Sequence, residues 1–171
     1  MIETFSCVPL LAANRPALFP AVRVDDGVDS VSRGHRAVPH IAGIAVEAWA
    51  DTREECLAEA VQALVENFAD VGDAVPDDSI VIVSAEETDE ALLLDVLDEA
   101  IYQVEACRRV AVDVSVDERT KATAGQVEVR LATVPVATVD RVGPVPKAVA
   151  VRHLRFGKTD GVWQAHVNVD V

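Results

Sequence analysis

Apolar and polar positions along this chain follow two periods, and the switch between them divides it. Leu57, Val61, Leu64, Val65 and Phe68 recur at steps of three and four, which predicts one apolar face of a helix. Glu54, Glu59, Gln62 and Glu66 fall on the rest of the circumference and are expected in solvent. Thr52 and Glu55 stand at capping-box spacing at its start, where the hydroxyl accepts from the amide three residues on and the acid reaches back. The small and apolar run from Ile41 to Ala50, opened by Pro39-His40, predicts a strand feeding this helix. Gly72 suits the helix C-terminus, and Ile80 to Val83 is a β-branched run that predicts a short buried strand. Thr88, with Asp89 and Glu90 behind it, starts a second helix. Its apolar face is Leu93, Leu97, Ala100, Ile101 and Val104, widened by Leu92, Leu94, Val96 and Tyr102. Asp95, Asp98 and Glu99 interrupt it, either as a solvated stripe or with Glu99 aimed into a polar site.

From Arg109 the period becomes two. Val110, Val112, Val114 and Val116 alternate with polar or small residues, as do Val127, Val129 and Leu131, and Thr120 to Gly125 predicts the turn of a hairpin. Lys147 to Phe156 and Val162 to Val171 predict two further strands, separated by a turn over Gly157 to Gly161. The order strand, helix, strand, helix, then four strands indicates an α+β fold: two layers, a mixed or mostly antiparallel sheet with the two main helices on one face. The domain is expected over residues 34–171. Residues 1–33, with Pro9, Pro16, Pro20 and a Ser-rich end, predict an extension of short extended pieces and loop.

Composition narrows the partners. Twenty-nine acids against fifteen bases give a formal charge of −14. A chain this acidic repels phosphate backbones, which excludes tight direct binding of nucleic acid by bulk charge and favours a cationic protein partner or a divalent cation. Arg152 with Arg155 is a local spot that can still meet a phosphate. Aromatics are 4% of the chain, so Trp49, Phe68, Phe156 and Trp163 are expected as scarce core anchors. Cys7, Cys56 and Cys107 have no zinc spacing; Cys56 and Cys107 are expected as buried free thiols in a reducing, cytoplasmic compartment. No signal-peptide pattern opens the chain, and no apolar run approaches the roughly 20 residues of a membrane helix.

No nucleophile, base and orienting group stand at catalytic spacing, so a metal-dependent hydrolase is disfavoured. The chain end is more specific. Asp170 and the carboxylate of Val171 put hard oxygen ligands in a small space, where like charges repel unless a cation or a lysine lies between them. Lys147 supplies that charge if its strand neighbours the last one.

Four blocks carry a family resemblance. They are His40 to Glu47 followed by Trp49-Ala-Asp51-Thr52; Leu92-Leu93-Leu94-Asp95 with Leu97-Asp98-Glu99 and Ile101-Tyr102; Pro146-Lys147-Ala148-Val149 with His153; and the closing Val169-Asp170-Val171. In this order the chain from about His35 to Val171 resembles archease, the small assistant of the RtcB-type RNA-splicing ligase. The resemblance implies a protein that is not itself an enzyme and that promotes guanylylation and turnover of an RtcB-type RNA ligase in tRNA splicing or RNA repair. It implies a divalent cation, calcium or similar, held by Asp170 and the Val171 carboxylate, and a functional Lys147. The aspartate of the family's first motif has no counterpart, because Gly43 stands there and Ile41 replaces the threonine. Glu47 and Glu99 are the nearest acids to compensate, and His40 and His153 are further candidates to line the site. The alternative is a divergent binding or chaperone-like module of the same fold without ligase activation or metal.

Overall fold

The computed structural model describes residues 33–41, 43–85, 88–117 and 127–171. The expected turn at 120–125 and the expected extension up to residue 32 lie outside them. The chain runs β1 (Gly34–His40), β2 (Gly43–Ala50), α1 (Arg53–Glu66), β3 (Ala69–Asp70), β4 (Asp78–Ser84), α2 (Asp89–Glu105), β5 (Arg109–Asp117), β6 (Val127–Pro135), a 3-10 turn at Val136–Thr138, β7 (Asp140–Arg141), β8 (Ala148–Thr159) and β9 (Val162–Asp170).

Both helices start where capping chemistry places them. The Thr52 hydroxyl accepts from the Glu55 amide at 3.2 Å and donates to the Glu55 carboxylate at 3.2 Å. Thr88 accepts from the Ala91 amide at 3.2 Å. Such a cap contributes about 1 kcal/mol. Helix α1 stops earlier than Gly72 suggested: Asn67 is its C-cap, and Gly72 serves a later turn with φ of 41°.

The fold is α+β, as expected, and every strand pairing among the described residues is antiparallel. The strands divide into a four-stranded sheet ordered β1-β2-β9-β8, a three-stranded sheet ordered β4-β6-β5, and the short β3-β7 ladder. Strand β1 was not anticipated; its sequence, GHRAVPH, leaves five of seven residues exposed and so lacks an apolar alternation to read. The run Ile80–Val83 is not fully buried: Ile82 is buried, whereas Val81 is exposed, because β4 is an edge strand with one face in water.

Both helices pack on one face of the four-stranded sheet and extend under β5. Phe68, Leu57, Leu64, Leu93, Leu97 and Leu131 are fully buried there, each contributing roughly 1.5–3 kcal/mol of transfer free energy. Phe156 joins them, but Trp49 does not: it is half-buried on the opposite face. Tyr102, expected on the buried face of α2, is half exposed.

The cysteines separate. Cys56 is free, buried and pushed up to about 12 by burial and the Glu59 charge, so it is an inert thiol. Cys107 is disulfide-bonded, against the expectation of a free thiol. No helix among the described residues is long and apolar enough to cross a membrane.

Candidate functional site

On β2, Ile44, Val46, Ala48 and Ala50 are buried against the helices, so Gly43, Glu47 and Trp49 belong to the outer face. On β9, Val169, Val167 and Ala165 are buried, which puts Asp170, Asn168, His166 and Gln164 on that same outer face. The pairing register then builds rows across the sheet. His40 lies opposite Gly43, Gly43 opposite Asp170, and Asp170 opposite Ala148. The Lys147 amide donates to the Asp170 carbonyl at 2.8 Å. Two stretches far apart in sequence, residues 40–43 and residues 147–170, thus bring four strand ends to one corner, within a row about 15 Å wide at the usual strand spacing.

Three properties define this corner. Asp170 and Lys147 are exposed, and among the described residues neither side chain has an ion-pair partner. Val171 packs its side chain against the edge of the core, which holds the end of β9 in place. Gly43 is pressed onto β9: a Cβ there would lie 2.0 Å from the Val169 carbonyl oxygen and 3.1 Å from the Asp170 Cα. Contact with fixed backbone at that distance excludes every side chain unless the strands part.

The remaining sequence candidates do not all join it. His40 does, as the exposed last residue of β1. Lys147 does through its backbone. Glu47 is four residues along β2, about 13 Å from the Asp170 row, ion-paired with Arg36 and 3.6 Å from the Nδ1 of His166. His153 is exposed in an irregular stretch of β8 between Ala150 and Arg155, where pairing to β9 lapses. Glu99 lies on α2, on the helical side of the sheet, and accepts from Gln103 at 2.7 Å. Its pKa is raised by burial, with the Gln103 hydrogen bond opposing. No strand pairing brings Glu99 into the Asp170 row.

The comparisons with known proteins agree with this architecture. The model of the "Archease protein family (MTH1598/TM1083)" matches residues 35–171. The chain belongs to the archease family. It is 37% identical over 165 residues to a "Probable protein archease" from Mycobacterium tuberculosis CDC 1551, covering 96% of this chain and 89% of the relative. The same figures hold for the protein so named from strain H37Rv. That match is longer than the family-model span, so it runs on into the segment before residue 35. The fold is that of the Thermotoga maritima structure described as an archease, possible chaperone, with a TM-score of 0.54 and 22% identity over 78% of this chain and 94% of that one. It is also that of Methanobacterium thermoautotrophicum protein 1598, with a TM-score of 0.62 and 19% identity over 81% of this chain and 99% of that one. These relatives carry the names archease and possible chaperone, not that of an enzyme.

Within the archease family the corner departs from a closed cation site. Gly43 stands where the resemblance leads one to expect an aspartate, and β9 leaves no volume for a side chain there. Among the described residues no group of three or more His, Cys, Asp or Glu side chains is placed to hold a metal ion. A calcium-type ion takes six to eight oxygens, and the Asp170 side chain by itself does not supply such a cage.

One cluster escaped the sequence reading. His35 on β1 donates from Nδ1 to Glu59 at 2.6 Å and from Nε2 to Glu66 at 3.0 Å. Glu59 is buried rather than solvated, because the imidazole and Arg33, at 3.5 Å, satisfy it. Burial of the ring opposes its charge, but the hydrogen bonds to Glu66 and Glu59 outweigh this and raise the His35 pKa. The cluster clasps the outer strand β1, and with it His40, to helix α1. Its signal was the spacing of Glu59 and Glu66, two helical turns apart on one face, but nothing local named the partner.

Proposed function

We propose that this archease-family chain is an accessory protein that docks its Asp170 corner on a cytoplasmic RtcB-type RNA ligase and promotes the ligase's guanylylation and turnover in tRNA splicing or RNA repair. The observation that carries the reading is the juxtaposition of Asp170, His40 and Lys147 at one exposed corner, with Asp170 and His40 held by strand pairing and Lys147 by its backbone hydrogen bond to Asp170. A preorganised, unpaired carboxylate on a rigid strand is available to a partner's cationic or metal-bearing site without first breaking a bond of its own. The charge of −14 supports the same direction, since an acidic assistant is steered toward a basic, nucleic-acid-handling enzyme. Any divalent cation at the corner takes Asp170 and the Val171 carboxylate from this chain and completes its shell with oxygens from elsewhere. The Cys107 disulfide removes the thiol argument for a reducing compartment, so the cytoplasmic assignment rests on the ligase partner alone.

The test adds the protein to a stalled RtcB-type ligase with GTP and metal. Restored multiple turnover supports the proposal, and unchanged turnover at stoichiometric excess rejects it. The second reading, a divergent chaperone-like binding module, is favoured by the closed backbone at Gly43. It predicts neither stimulation nor a calorimetric signal with divalent cations.

A further inference from the structure

The far end of the outer sheet face is a hollow of about 700 Å³, within the size range of small-molecule sites. Two successive rows of the register build it. Arg36, Glu47, His166 and Arg155 lie side by side across β1, β2, β9 and β8; in the next row Trp49, Gln164 and Gly157 follow. Lys158, which alternates to the other side of β8, and Glu90 of α2 reach the rim around the open edge of that strand.

Carboxylates outnumber bases nearly two to one overall, 29 to 15. Yet Arg155 and Lys158 have no carboxylate partner among the described residues; Arg155 spends one N–H on the Leu154 carbonyl at 2.8 Å. Glu47 is engaged by Arg36 and faces His166. The two uncompensated cations therefore face a concavity in a protein with acids to spare. Guarding β8 as an exposed edge accounts for basic residues along that strand. It does not account for the shared hollow that also takes in Arg36 from the opposite edge. The floor is shaped as well as charged. Gly157 has no atom within 4 Å of where a Cβ would be, and its backbone is not in the left-handed region, so the space above it is open. The Trp49 indole lies over Gly34 of β1 at the far side of the hollow, and the Gln164 amide, between Trp49 and Gly157, offers both a donor and an acceptor.

We propose that this hollow binds a phosphate ester carrying a flat ring, of the nucleoside-phosphate class, with Arg155 and Lys158 on the phosphates and the ring over Gly157 beside the Gln164 amide. Arg matches phosphate oxygens with paired N–H groups, and Lys adds a point charge. The volume exceeds what inorganic phosphate needs and leaves room for the ring. The proposal does not rest on the ligase reading, and its test contains no ligase.

The test is calorimetry and tryptophan fluorescence of the full chain with ATP, and separately with inorganic pyrophosphate. One ATP is expected per chain, bound more tightly than pyrophosphate and weakened by salt. Arg155→Glu with Lys158→Glu is expected to weaken ATP by about tenfold or more, about 1.4 kcal/mol or more of binding free energy. Gly157→Leu fills the floor without touching a charge and is expected to abolish ATP binding with an unchanged melting temperature. Glu90→Gln, which removes a repelling carboxylate from the rim, is expected to tighten it. No binding of ATP at millimolar concentration overturns the site. Binding indifferent to both the charge reversal and Gly157→Leu places the ligand elsewhere and overturns it equally. Pyrophosphate binding as tightly as ATP removes the ring from the proposal. If Gly157→Leu does not fold, the surface charge reversal decides alone.

Discussion

The two ends of the outer face of the four-stranded sheet are made from the same strands and are physically opposite. At the Asp170 end the backbones close until Gly43 has no room for a Cβ, which would lie 2.0 Å from the Val169 oxygen. At the other end Gly157, also a glycine on that face, has nothing within 4 Å. The first end presents an unpaired carboxylate beside the unpaired Lys147, the second two cations around a hollow. Strand pairing is common to both; what differs is whether the chain spends its glycine on bringing backbone together or on leaving space. A corner of the first kind is suited to insertion into a partner, and a hollow of the second kind to receiving a ligand.

The comparison can be broken most directly at its glycines. Gly43→Asp, which restores the family's residue by name, should destabilise the fold by about 3 kcal/mol, because backbone rather than a flexible side chain must move. Gly157→Asp should cost less than about 0.5 kcal/mol, as an ordinary surface change does. Urea titration of both variants checks the pair; equal midpoints would remove the basis for distinguishing the two ends.

Adjacent residues of β9 sharpen it next. Val167 is fully buried and Asn168 faces outward with an unpartnered buried Oδ1. Val167→Ala should lose about 2 kcal/mol through the cavity it leaves. Asn168→Ala should stay within about 0.5 kcal/mol, since no hydrogen bond is lost with it.

The His35 clasp gives a smaller, pH-dependent effect. Its folded pKa is raised above 6.5, so its stabilisation is fully present below pH 6.5 and is lost as pH rises through the folded value. His35→Gln should cost about 1–2 kcal/mol at acidic pH and progressively less at alkaline pH. Hydrogen exchange of β1 in the unsubstituted protein should quicken over the same rise. A flat pH dependence of the difference between the two proteins would contradict the clasp.

Smallest in stability is Asp170→Asn, expected within about 0.5 kcal/mol because the side chain is exposed and unpaired. Its ligase stimulation should nonetheless fall by about tenfold, the loss of one charged contact of about 1.4 kcal/mol. Stimulation equal to that of the unsubstituted protein would move the docking surface away from the corner.

Where the signal is carried by neighbours along the chain, the residues alone sufficed. The caps at Thr52 and Thr88, the apolar stripes of α1 and α2, the period-two strands from Arg109 onward and the α+β class all follow from interactions spanning a few residues. Resemblance added the family and the expectation that Asp170 and Lys147 matter. The rest required the folded chain. Strand β1 has no apolar alternation, so only its pairing to β2 defines it. Trp49 was assigned to the core by its size, but its parity on β2 turns it outward. Glu59 was assigned to solvent by its charge, but it is buried because His35, 24 residues away, meets it. Glu99 reads as a site acid by its motif, and in the fold it accepts from Gln103 on its own helix. Periodicity states which residues share a face; register, set by closure of strands far apart in the chain, states which faces and rows meet. The corner at Gly43 and the hollow at Gly157 are both consequences of register, and that is why neither could be seen before the strands were paired.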